Sequence, residues 1–94
     1  MSRKRTPVKD YPVGKAIVEA LEKKGMTQVE LAARLHMAHG NLSAIIHEGR
    51  EVSPRMIVRI ALCLGLDAFE LGRMQSDYEI MKIITPIIGK EQEE

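Results

Sequence analysis

Between positions 36 and 47 the chain reads HMAHGNLSAIIH, a stretch rich in side chains that hydrogen-bond. An asparagine amide such as that of Asn41 offers a donor and an acceptor side by side, the pattern that pairs bidentately with adenine. The imidazole of His39 can donate to a guanine or to a phosphate, and Ser43 and His47 lie further along the same stretch. Gly40 permits close backbone approach, at roughly 1 kcal/mol of helix stability relative to alanine. Neither Arg nor Lys accompanies them, so the commonest guanine contact is missing.

Catalytic chemistry is not expected. His36 and His39 have no carboxylate or cysteine partner at a ligand spacing that recurs in the chain, and His47 and Cys63 are too scattered to complete a metal site. No Gly-rich phosphate loop and no Ser/His/Asp arrangement appears. The reading is therefore a non-enzyme with no cofactor and no metal. Cys63 lies in an apolar stretch and reads as a small core residue; a lone cysteine suits a reducing cytosol.

The elements that must position these residues are short helices. Thr27 followed by Glu30 is a capping box, in which each side chain satisfies the other's orphan backbone donor. Val29, Ala32 and Leu35 then recur on one helical face, and after the link His36-Met37-Ala38 apolar spacing resumes at Leu42, Ile45 and Ile46. A capped short helix, a brief turn and a second short helix form a helix-turn-helix, whose second helix lies in the DNA major groove. Upstream, a helix is predicted from about Val13 to Lys24, facing inward through Val13, Ala16, Ile17, Ala20 and Leu21, with Gly25 to end it. Downstream, Ser53-Pro54 opens another, with a buried stripe of Ile57, Ile60, Ala61 and Leu64 and a stop at Gly65. Asp67 with Glu70 opens a last helix expected to reach Ile84 or Thr85, because Pro86 disfavours helix at the residue before it. The expected fold class is all-α, with five helices.

Ninety-four residues make one domain with one modest core. Three parts are expected: a flexible basic arm over 1–12, the helix-turn-helix domain over 13–72, and a C-terminal helix extension with an acidic tail over 73–94. The net charge of +1 hides this asymmetry. Arg3, Lys4, Arg5 and Lys9 make the arm basic, Glu91, Glu93 and Glu94 make the tail acidic, and residues 11–89 balance. Net charge alone thus neither supports nor excludes nucleic acid. The N-terminus lacks the apolar core of a secretory signal, and the apolar run Ile80–Ile88 is short and broken by Lys82 and Pro86. A soluble, cytoplasmic protein is expected, with no membrane partner.

The chain resembles the Xre/Cro-type helix-turn-helix repressors, which share the fold of the lambdoid phage repressors. Thr27-Gln28-x-Glu30-Leu31-Ala32, the small Ala38, Ser43-x-Ile45, Gly49-Arg50, Ile60-Ala61 and Leu64-Gly65 carry the likeness over about residues 13–72. His36 stands where these proteins usually place a glycine, and the loop glycine, Gly49, comes one residue late. A narrower likeness is to HigA-type (host-inhibition-of-growth) antitoxins. Pro12-Val13-Gly14 resembles their entry to the first helix, and Phe69, Leu71, Gln75 and Tyr78 match a signature whose tryptophan and asparagine are here Glu70 and Gly72.

The resemblance implies a set of contacts. Ala38, His39, Gly40 and Asn41 would point at base edges, with Ser43, Ala44 and His47 further along the helix. Gln28, at the start of the first motif helix, would face a phosphate, and Arg50 and Arg55 flank the next helix start as phosphate partners. The arm Arg3-Lys4-Arg5 either reaches an adjacent groove or merely solubilises the chain. So few cationic contacts make dimerisation matter, since two recognition helices one DNA turn apart read a pseudo-palindromic operator. Leu71, Met74, Tyr78 and Met81 recur at 3-4-3 spacing on the last helix and are the expected dimerisation residues, with Ile80, Ile83, Ile84, Ile87 and Ile88 adding apolar surface. The implied function is a double-stranded-DNA-binding antitoxin that neutralises a co-encoded mRNA-endonuclease toxin and represses its own operon as a homodimer. A stand-alone repressor without a toxin, and a protein-interaction module that has lost base readout, are the alternatives.

Overall fold

The computed structural model describes residues 11–49 and 52–92, with side chains to Ile87. Five α-helices make up these residues: α1 Pro12–Lys24, α2 Gln28–Arg34, α3 His39–Glu48, α4 Pro54–Leu64 and α5 Ala68–Gln92. The sequence signals account for most boundaries. The Thr27 amide donates to Glu30 Oε1 at 2.8 Å, and the Glu30 amide donates to Thr27 Oγ1 at 3.1 Å, so the capping box opens α2. Ser53 Oγ accepts from the Met56 amide at 3.2 Å ahead of Pro54, and Asp67 Oδ1 accepts from Phe69 and Glu70 at 2.9 and 3.2 Å.

The core is aliphatic. Val13 and Ile17 of α1, Leu31 of α2, Leu35 of the turn, Leu42 of α3 and Ile60 of α4 are its largest fully buried side chains. The first helix lies at the centre and touches α3, α4 and α5, while α2 packs on α3 and α4 on α5. Where α1 meets α3 the approach is close enough to demand a glycine. A Cβ on Gly14 would fall 2.1 Å from the Ile46 carbonyl oxygen, far inside van der Waals contact.

Two sequence expectations are corrected. Val29 does not face inward but is 59% exposed. In a helix of seven residues the inward face is taken by Leu31 and Ala32, and Val29 points away, about 200° from Leu31 at 3.6 residues per turn. The last helix does not stop before Pro86 but runs through it to Gln92. Proline removes one N–H and crowds the carbonyl four residues earlier; that carbonyl belongs to Lys82, in a stretch where every described side chain is exposed and water can satisfy it. At about 1.5 Å per residue, the 25 residues of α5 outrun the domain they start from. The described residues accordingly measure 49 × 26 × 21 Å.

Candidate nucleic-acid interface

Leu35 ends α2, and His36 then takes the left-handed conformation at φ 58°, the only non-glycine residue among those described to do so. Histidine tolerates this region better than most side chains, though less well than glycine. The turn is closed by the His36 and Met37 amides, which donate to the Ala33 and Ala32 carbonyls at 3.1 and 3.0 Å. The glycine usual at this position is thus replaced without loss of the turn. A further tie comes from outside the motif, where the Arg59 guanidinium of α4, half-buried, donates to the Leu35 carbonyl. A charge-assisted bond of this kind fixes the turn to the core, and with it the angle at which α3 leaves.

The third helix buries Leu42 and Ile46 and half-buries Ile45. At 100° per residue the side opposite these carries Gly40, Ala44 and His47, with Asn41 on one flank and Ser43 on the other. Ala38, His39, Gly40, Asn41 and His47 are exposed, and Ser43 and Ala44 are half-buried. Ala38, at the N-cap, offers no side-chain hydrogen bond to the first turn. The outward surface of α3 is therefore a strip of small residues bordered by amide, hydroxyl and imidazole groups. Such a strip brings a helix backbone close to a groove floor while polar tips reach base edges. Gln28 is half-buried at the first position of α2. Arg50, with the arm residues Arg3, Lys4 and Arg5, lies outside the described residues. Arg55 is exposed on α4, beside the Ser53 cap.

The end of α3 is held by residues the sequence reading had placed elsewhere. Gly49 caps the helix at φ 65°, and a Cβ there would lie 2.6 Å from the Tyr78 hydroxyl oxygen. Neither backbone conformation nor space admits a larger residue. The Tyr78 ring packs against Tyr11, with centroids 4.6 Å apart and planes tilted by 54°. Its hydroxyl is buried and finds no hydrogen-bond partner among the described residues. The Tyr11 hydroxyl donates to Gln75 Oε1, whose amide nitrogen in turn donates to Glu79 Oε2 at 2.7 Å. Burial pushes the Tyr11 phenol up to about 12, with the neighbouring Tyr78 and Glu79 acting in the same direction. Tyr11 is a neutral donor at physiological pH, as a tyrosine ordinarily is, and the shift keeps it so to still higher pH.

The dimerisation stripe read from the sequence is corrected by the same contacts. Leu71 and Tyr78 are buried in their own domain and Met74 packs against that core; of the four residues only Met81 is exposed. The 3-4-3 spacing reports an intramolecular seam, because the first half of α5 needs it to pack on α1 and α4. Among the described residues, no group of three or more His, Cys, Asp or Glu could hold a metal ion. No described helix is long and apolar enough to cross a membrane.

A capped short helix, a tight turn and a second helix with a polar, small-residue outer face define a helix-turn-helix domain, a unit that binds DNA. The chain belongs to the helix-turn-helix family, whose model matches residues 17–71. Among solved structures it is similar to the clp gene regulator ClgR from C. glutamicum. The two share 22% identity over 79% of this chain and 94% of that chain, at a TM-score of 0.60, a likeness of fold. No curated protein matches the chain.

Proposed function

We propose that this protein is a sequence-specific transcriptional repressor that binds a pseudo-palindromic operator as a homodimer through α3, and that it serves as the antitoxin of a co-encoded toxin. The observation that carries DNA reading is the outward face of α3, where His39, Asn41 and His47 are exposed around Gly40 and Ala44. Base edges are read by side chains of this kind, whereas phosphate contacts set register. Gln28 at the start of α2 and Arg55 beside the start of α4 supply such contacts, with Arg50 between α3 and α4. The similar structure is that of a gene regulator, which supports a regulatory role.

The antitoxin role rests on the likeness of Pro12-Val13-Gly14 and of Phe69, Leu71, Gln75 and Tyr78 to HigA-type antitoxins. Gln75 and Tyr78 have a structural use that gives this likeness physical content, since they pack against Tyr11 at the entry to α1. A repressor without a toxin uses the same α3 surface and is the second reading.

Selection from fragmented genomic DNA, followed by co-expression with each neighbouring reading frame, tests both parts. The expected results are enrichment of the region upstream of its own gene and stable co-purification with a small neighbouring protein whose growth arrest it relieves. Enrichment without any such partner leaves the stand-alone repressor. Absence of enrichment over random DNA at low salt overturns operator binding.

A further inference from the structure

The last helix carries a second apolar seam, on the side away from its own core. Phe69, Arg73, Ser76, Ile80, Ile83 and Ile87 follow one another at steps of 4, 3, 4, 3 and 4, the 3.5-residue period of helix-on-helix packing. Phe69 is 87% exposed and Ile83 65%, and Ile80, Ile84 and Ile87 are also exposed. The seam divides into two unlike halves. From Ile80 onward it is bulky and isoleucine-rich. Before that it borders a groove of about 540 Å³ between α4 and α5, in which Gly72 and Ser76 leave room and Ile57, Val58 and Phe69 form the walls.

We infer that a second copy of this chain occupies that groove, the two α5 helices packing antiparallel across a two-fold axis near Tyr78. This deepens the homodimer reading and rests on it. A two-fold interface is self-complementary: whatever a surface offers, it must also receive. One side of α5 meets that condition, because its isoleucine-rich half and the groove beside Gly72 and Ser76 lie on the same side of the same helix. An antiparallel register brings Ile80 of each copy over Ser76 of the other, Ile84 over Gly72, and Ile87 against Phe69. Arg73 then lies beside Ile83 with its stem along an apolar side chain. A parallel pairing would instead oppose Arg73 to Arg73, stack serine on serine and leave the groove empty.

The extent of the surface agrees. Phe69, Val58 and the four exposed isoleucines leave six large apolar side chains in water along α4 and α5, the kind of surface a stable interface of about 800 Å² per partner buries. A monomer's largest apolar patch usually spans roughly 300–600 Å².

Sedimentation equilibrium of the wild-type chain and of Ile84→Glu, with disulfide trapping in a Cys63→Ser background, tests the pairing. The wild type is expected to be a dimer, and Ile84→Glu a monomer of unchanged helix content, since Ile84 is exposed and stands outside the domain's core cluster. Ser76→Cys mixed with Ile80→Cys is expected to give a crosslinked pair, and neither variant is expected to crosslink with itself. Self-crosslinking of Ile80→Cys without the mixed product indicates a parallel pair and overturns the register. A dimer indifferent to Ile84→Glu, with no crosslinks, overturns this face and leaves the homodimer standing. A wild-type monomer overturns both.

Discussion

Asn41 stands on the first exposed turn of α3, beside the helix axis rather than at the centre of its outer face. Its neighbours Gly40 and Ala44 add no polar group, so under the proposed function Asn41, Ser43 and the imidazoles of His39 and His47 supply discrimination among bases. Asn41→Ala is expected to cost about 1–3 kcal/mol of operator affinity and to relax preference at one base position. Binding titrations against an operator and its single-base variants check this, and equal losses on every variant would assign Asn41 to the backbone instead. The bidentate potential of Asn41 was legible from residue type alone. The role of Gly14 was not, because its close approach to the Ile46 carbonyl exists only once α1 and α3 are packed. Tyr78 misled for a related reason: an aromatic at 3-4 spacing marks a buried face without saying whose core buries it.

At the scale of the helices, most boundaries followed from local chemistry. Capping at Thr27 and Ser53, and at Asp67, is written into side chains three residues apart or less, so the sequence showed it. Long-range ties were invisible. Arg59 lies 24 residues from Leu35 in sequence, and an arginine between Ile57 and Ile60 reads as ordinary solvated surface. In the structure it secures the turn that aims α3. Arg59→Met is expected to destabilise the domain by about 1–3 kcal/mol, as a buried carbonyl loses its partner, and thermal unfolding measures this. Well below the unfolding transition, operator affinity is expected to fall as well, with partial rescue by Arg59→Lys. Full operator affinity in a destabilised Arg59→Met protein would reduce Arg59 to a stability contact. Pro86 shows the opposite limit of local reading. Its rule is sound inside a packed domain, yet an exposed helix leaves the freed carbonyl to water.

The whole molecule joins a compact aliphatic core to a helix that leaves it. The first half of α5 completes the core through Leu71, Gln75 and Tyr78, and every described side chain from Ile80 onward is exposed. One helix thereby serves two surfaces, and the hydrophobic pattern of α5 taken as a whole points to neither. Charge contributes little at this scale. The net charge of +1 neither supports nor excludes attraction to phosphate, and the proposed function places specificity in the α3 face and in the pairing of two subunits. The most direct test of that claim is equilibrium binding of the selected operator and of a scrambled duplex of equal length, titrated over a series of salt concentrations. The operator is expected to bind at least about 10³-fold more tightly than the scrambled duplex at physiological salt. Operator affinity is expected to fall steeply as salt rises. Equal affinities for the two duplexes at every salt concentration would contradict base reading by α3.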